Sequence, residues 1–232
     1  MTKLMNRQGV LDLAKGLIEE HPDNLNTPDN FLAHLGKSYD NAGQVVEDAC
    51  SKYLNLKNFL SEEETALAAG LHDIGRPFNQ NQLFHELSGR RYIQNNGLKL
   101  GVADNQLDVC RIVQMFTPHF LVLEQWGLEE NAGKREQFQP LSFKSLIPKT
   151  LQQLIVVYAE LTNGGEDQIS FEGGIEDIKR RYVPGSEWAR SNPSLASAMK
   201  IGLTRVSEVC ENVQRLRRGK LSEREISQFG FN

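Results

Sequence analysis

Four of the five histidines of this chain, His34, His72, His85 and His119, fall on or at the ends of stretches that read as core helices. Two carboxylates accompany them: Asp73 directly after His72, and Glu160 within the apolar text Tyr158-Ala159-Glu160-Leu161. Taken singly, a buried histidine is usually a satisfied core residue and a mid-helix glutamate usually points to solvent. An unpaired buried carboxylate is costly, however, and a neutral imidazole beside one on a mostly buried helix needs a reason. A bound cation supplies it. Imidazoles and carboxylates spread over several helices are best explained by convergence on a metal, and such ligands suit iron, manganese, zinc, cobalt or nickel better than calcium. The fifth histidine, His21, precedes a proline in a polar break and reads as surface.

The elements that must position these groups are helices. Ser61 is the N-cap of the central one, with Glu64 at the spacing of a capping box. Leu67, Leu71 and Ile74 recur at i, i+4 and i+7, so one stripe faces a core, and Gly75 and Pro77 stop the helix. His72 and Asp73 then sit in its last turn. Upstream, Asn6 to Glu20 carries an apolar stripe of Val10, Leu13, Leu17 and Ile18, broken at His21-Pro22-Asp23. Thr27-Pro28 reads as N-cap and first helical position of a helix through His34 and Val46 towards Leu54, with a bend expected at Gly43.

Downstream of the loop Arg76 to Gln82, a helix with Leu83, His85, Leu87 and Ile93 ends at Gly97. Residues 103 to 116 repeat the pattern, and Thr117-Pro118 places His119 in the first turn of another helix. Residues 130 to 149 are polar and broken by Gly133, Pro140 and Pro148, the text of a long loop and of a lid. Lys149 to Asn163 is a strong helix with Leu151, Leu154, Ile155, Tyr158 and Leu161 inward. A shorter helix after Ile169 precedes a long one from Pro193 to Arg218, with Leu195, Met199, Leu203, Val206 and Val213 on one face. No alternating strand pattern of convincing length occurs. The fold class is all-α.

Composition narrows the setting. The chain has 232 residues, 39% hydrophobic and 24% charged, with a formal net charge of -4, as expected of a soluble globular protein with a sizeable core. That balance argues against a nucleic-acid partner, which usually requires a basic surplus or stripe. The basic groups Lys179-Arg180-Arg181 and Arg215 to Lys220 read as solvated faces and a helix end that complements the dipole. Cys50, Cys110 and Cys210 are odd in number and far apart, which fits a reducing, cytoplasmic setting rather than a disulfide framework. The longest apolar run, Leu154 to Ala159, is too short to cross a bilayer, and no signal-peptide pattern is present.

The order His34 … His72-Asp73 … acid resembles the H…HD…D signature of the HD-domain superfamily of metal-dependent phosphohydrolases. "FLAHLGKSYDNAG" looks like the helix that brings the first histidine, and "LAAGLHDIGRPF" is close to the usual HDIGKP form. "FHELSGRRYI" is similar to the helix after it, and "LIVVYAELTNG" takes the place of the final acid motif. The resemblance covers roughly residues 28 to 165, the expected HD core of a single helical domain spanning 1–232. Residues 166–232 would form additional C-terminal helices that dimerise, shield the site or complete the core.

The resemblance implies that His34, His72, Asp73 and Glu160 hold a first metal. His85 and His119 match the extra histidines of dinuclear members, in which the HD aspartate bridges two metals, so one or two ions per chain are implied. In some members the histidine equivalent to His85 contacts the phosphate instead. Glu160 replaces the family's Asp and lengthens that ligand by one methylene. Arg76 stands where Lys is common and keeps a cation for a phosphate oxygen; Lys37, Arg90 and Arg91, near the proposed ligands in sequence, are further candidate phosphate clamps, with solvated helix faces as the other reading of Arg90 and Arg91.

The implied activity is hydrolysis of a nucleotide or other small phosphate ester, by a water that a divalent cation acidifies to a pKa of roughly 7. No side-chain nucleophile is needed, and neither a GxSxG elbow nor a GxxxxGK[ST] loop is present. "HELSG" begins like a zincin motif, but Gly89 takes the place of the second histidine. Two other readings use the same residues. One is a di-iron oxygenase of the inositol oxygenase kind; the other is an HD scaffold that binds a nucleotide or protein after losing efficient metal binding through Glu160.

Overall fold

The backbone obeys the helix signals closely. The computed structural model describes residues 5–78, 85–96, 148, 150–164, 167–182, 190 and 193–229. The helices among them are α1 (Arg7–Glu20), α2 (Pro28–Lys52), α3 (Glu62–Leu71), α4 (His85–Asn96), α5 (Leu151–Leu161), α6 (Phe171–Tyr182), α7 (Pro193–Arg217) and α8 (Glu223–Gln228). Short 3-10 turns stand at Pro22–Asn24, Leu54–Asn58 and Arg76–Phe78. Beyond these, the described residues hold a two-residue antiparallel ladder, β1 (Asn163–Gly164) with β2 (Asp167–Gln168). The protein is all-α, and none of its described helices is long and apolar enough to cross a membrane. The helix expected over 103–116, His119 and nearly all of the 130–149 loop lie outside the described residues.

Helix α3 is the centre. Thr65 to Leu71 are buried on every side, so this segment is enclosed rather than amphipathic. Helices α1, α2 and α5 pack around it, and α7 covers α5 and α2 from the other side. Leu203, Val206, Cys210, Val213 and Leu216 of α7 join the same apolar cluster as Leu35 and Val46 of α2, Leu67 and Leu71 of α3, and Ile155 of α5. The inward residues read for α5 are all buried, and so are most of their neighbours.

Several local signals act differently from their sequence reading. Ser61 does cap α3, accepting from Glu64 N at 3.2 Å. The reciprocal half of that box is not made: Glu64 Oε2 accepts from Gln152 Nε2 of α5 at 3.4 Å instead. Complete capping boxes form at Thr150–Gln153 and Ser222–Glu225, neither of which was read from the sequence. Helix α2 continues through Gly43, where a Cβ would meet Glu62 and Ala66 of α3 at 3.6–3.9 Å, so the glycine lies in the contact between the two helices.

The C-terminal basic group also needs correction. Arg217 is not simply a solvated face: its Nε donates to Asp48 Oδ2 of α2 at 2.8 Å and its Nη1 to Tyr158 Oη of α5 at 3.2 Å. It clamps three helices together at a half-buried position. Helix α7 then stops in a Schellman turn, with Gly219 at φ +68° and Lys220 N donating to Arg215 O at 2.8 Å. Lys179 and Arg180 behave as read, in exposed i,i+3 pairs with Glu176 and Asp177.

Candidate metal centre

The site is built where α3 ends. After Leu71 the chain tightens into successive three-residue turns, with Ile74 N donating to Leu71 O at 3.1 Å and Arg76 N to Asp73 O at 2.9 Å. His72 and Asp73 therefore stand just beyond the helix rather than in its last turn. The winding has a chemical consequence. Residues three apart eclipse in such a turn, so His72 Nδ1 reaches back to Ala69 O at 2.6 Å. A carbonyl only accepts, so Nδ1 carries a proton and Nε2 is the atom left to face the interior.

What Nε2 faces is His34. Helix α2 brings the second imidazole to a His34 Nε2–His72 Nε2 separation of 3.0 Å. Asp73 Oδ2 lies 3.4 Å from His34 Nε2 and 3.5 Å from His72 Nε2. These three ligand atoms lie within 4.8 Å of one another, a group that could hold a metal ion. His72 and Asp73 are fully buried, whereas the His34 side chain is 21% exposed and supplies the accessible edge.

Asp73 is the hub of the electrostatics. Its Oδ1 accepts from His85 Nε2 at 2.8 Å, and Arg76 Nε approaches Oδ2 at 2.5 Å. Oδ2 nevertheless has no well-aligned hydrogen-bond donor. A buried acceptor in that state, turned towards two imidazole nitrogens, fits a cation ligand. Burial opposes ionisation of Asp73, but Arg76, His72 and His85 outweigh it and hold the carboxyl well below the usual range. Burial likewise opposes protonation of His72, yet the adjoining Asp73 charge and hydrogen bond, with Glu160 and the Ala69 carbonyl, raise it to about 9. His34 moves the other way: burial lowers it, aided by His72 and only partly offset by Asp73. Without a cation, the 3.0 Å contact needs one hydrogen between the two Nε2 atoms, and the opposite shifts of the two imidazoles favour carrying it as an added proton on the His72 side.

Gly75 explains how His85 arrives. A Cβ at Gly75 would lie 1.8 Å from His85 O and 2.4 Å from Gly89 N, so the first turn of α4 rests directly on the glycine backbone. The residue read as a helix stop is required by this contact, and Gly219 is the one glycine with positive φ among the described residues. The turn itself is held from outside. Asn24 Nδ2 donates to Pro77 O at 2.7 Å, and Phe78 lies between the rings of His21 and Tyr92, with centroids 5.3 and 5.2 Å away. His21 is accordingly part of this buttress and only half-exposed.

The other expected site residues divide. His85 reaches the centre as a donor to Asp73 and lies outside the three-atom group. Glu160 also stands outside that group, although His72 and Asp73 act on its charge. Burial, with Asp73 adding and His72 opposing, pushes its carboxyl up to about 7. Lys37 lies one turn after His34 on α2 and is half-buried. The Arg90 side chain and all of His119 lie outside the described residues.

The chain thus defines an all-α protein with a buried two-histidine, one-aspartate centre. No protein-family model matches it. No curated protein matches it either.

Proposed function

We propose that the chain is a metal-dependent phosphohydrolase of the HD-domain type, acting on a nucleotide or another small phosphate ester. The observation that carries this reading is the direction of His72. Its Nδ1 is committed to Ala69 O at 2.6 Å, so Nε2 is presented to the same point as His34 Nε2 and Asp73 Oδ2. A divalent ion held there, from the iron, manganese, cobalt, nickel and zinc group, would supply Lewis acidity and a water acidified to a pKa of roughly 7.

The remaining roles belong to side chains. His85, by donating to Oδ1, turns the other Asp73 oxygen towards the imidazole pair. Arg76 keeps a positive charge beside that oxygen, 30% exposed and so within reach of a phosphate oxygen arriving from solvent. The partly exposed His34 marks the side from which substrate enters.

The test is metal content of the purified protein beside His72→Ala and Asp73→Ala, followed by phosphate release from nucleoside monophosphates and p-nitrophenyl phosphate with Mn²⁺ or Co²⁺. Loss of metal in both variants together with turnover by the wild type supports the reading. A wild type that takes up no ion under loading overturns it.

Two observations favour other chemistry on the same scaffold. Asp73 offers Oδ1 to His85 and Oδ2 to His34 and His72, an arrangement that suits a carboxylate between two ions and hence a di-iron oxygenase. Stoichiometric iron with oxygen consumption on a diol or phosphonate would select that reaction. The place of Glu160 outside the three-atom group favours a weakly catalytic binding protein instead. That reading fails if the wild type already holds a full complement of metal and Glu160→Asp adds none.

A further inference from the structure

The three ligand atoms of the centre come from two places: His72 and Asp73 from one turn, and His34 from a separate helix. Adjacent residues in a tight turn are mutually fixed by backbone geometry. The register of His34 against them depends on how α2 is held along its own length. Asn163 does this. From β1, directly after α5, its Nδ2 donates to His34 O at 2.7 Å and to Ser38 Oγ at 3.0 Å.

Both acceptors are informative. The His34 carbonyl lies inside α2, and beside its place in the helix ladder it has a second lone pair, which is what Asn163 engages. Ser38 is 1% exposed and one turn further on, so the amide grips the helix along the edge that carries the ligand. The orientation of the amide is not arbitrary, because a carbonyl acceptor requires the NH₂ group. Asn163 is itself anchored: it pairs with Gln168 in the ladder, and Thr162 Oγ1 before it returns to Tyr158 O at 2.9 Å.

We infer that Asn163 is a positioning residue for His34, setting the height of that imidazole against His72 and Asp73 by holding the α2 backbone at the ligand itself. The inference rests on the reading of the centre as a metal site and names a residue outside the ligand set that tunes it. Partners that hydrogen-bond a ligating side chain directly are typically worth 10–100-fold in metal affinity; Asn163 acts one step further back, through the backbone that carries the ligand, so the lower end of that range applies.

The test is Co²⁺ titration of the full chain, read by visible absorption, for wild type, Asn163→Ala, His34→Ala and the double variant, with urea unfolding of each metal-free protein. The expected result is a 10-fold or greater loss of affinity and an altered Co²⁺ spectrum in Asn163→Ala. The double variant should be no weaker than His34→Ala alone, because the amide acts through that imidazole. Asn163→Asp, which keeps the shape but loses the donor, should resemble Asn163→Ala. An equal loss in both His34 backgrounds would reduce Asn163 to a general stabiliser and overturn the inference. An unchanged affinity and spectrum in Asn163→Ala would do the same. Failure of the wild type to bind Co²⁺ would instead sink the metal reading, and the positioning role with it.

Discussion

His34 Nε2 and His72 Nε2 face each other at 3.0 Å in a buried centre, with the Asp73 carboxylate beside both. Two lone pairs cannot meet at that distance without something positive between them. In the metal-free protein that something is a proton, since Asp73 raises His72 to about 9 against its burial while burial lowers His34.

Loading the centre should therefore displace this proton. At pH 7.5, below the raised value for His72, uptake of one Mn²⁺ or Co²⁺ is expected to release about one proton. Calorimetry in buffers of different ionisation enthalpy measures this directly. Release near zero would mean that the pair is neutral before the ion arrives.

The same proton links stability to pH. A histidine near 6.5 in the unfolded chain and about 9 in the folded one stabilises the fold fully below pH 6.5, and this is lost as pH rises to about 9. Asp73, held below its ordinary range, contributes above pH about 4 and loses its contribution as pH falls. The unfolding free energy of the metal-free protein, read from urea titrations, should thus decline between pH 6.5 and 9, with the His72 contribution on the order of 3 kcal/mol. His72→Gln should flatten that decline.

Gly75→Ala should cost more than a surface glycine replacement. Its Cβ would collide with His85 O and Gly89 N, which are backbone atoms and cannot rotate aside. Overpacking of this kind costs about 1–3 kcal/mol or more. Because α4 must shift, the 2.8 Å contact from His85 to Asp73 should be lost as well. Urea unfolding and the NMR signal of the His85 ring check the two effects separately.

Arg217→Met separates stability from the centre. It removes donors to Asp48 and Tyr158 and leaves their partners poorly satisfied, for a loss of about 1–3 kcal/mol in thermal or urea unfolding. Metal affinity should be unchanged. A large fall in affinity would mean that α7 sets the register of α2 from a distance.

What could be read from the sequence follows the range of the interactions. Ser61 is a local cap and α3 begins where it stands; α2 likewise begins at Pro28, although the Thr27 side chain makes no capping bond, and the cap that α1 does have, Asn6, is not marked in the reading of that stretch. The stripe Leu67, Leu71 and Ile74 is a local periodicity, and all three side chains are buried. His34 is paired with His72 by the order of the histidines, and the stretch that separates them, a sequence distance of 38, carries no other sign of the contact. The long-range partners were not readable. Asn163 grips His34 across 129 residues and Arg217 binds Asp48 across 169, and nothing in the text near either one marks its counterpart. Gly75 was readable as a glycine but not for its reason, because the neighbour that excludes a side chain belongs to the next helix.

That last contact works as a spacing gauge. The distance between α4 and the His72-Asp73 turn is set by the absence of a methyl group at Gly75, so helix and turn meet backbone to backbone. Among chains that carry a similar His-Asp turn, one with a side chain at the corresponding place must hold its next helix further away by about the width of that group. Its aspartate would then keep both oxygens for other partners. In this chain the bare backbone at Gly75 is what lets His85 come close enough to restrain the carboxylate from behind.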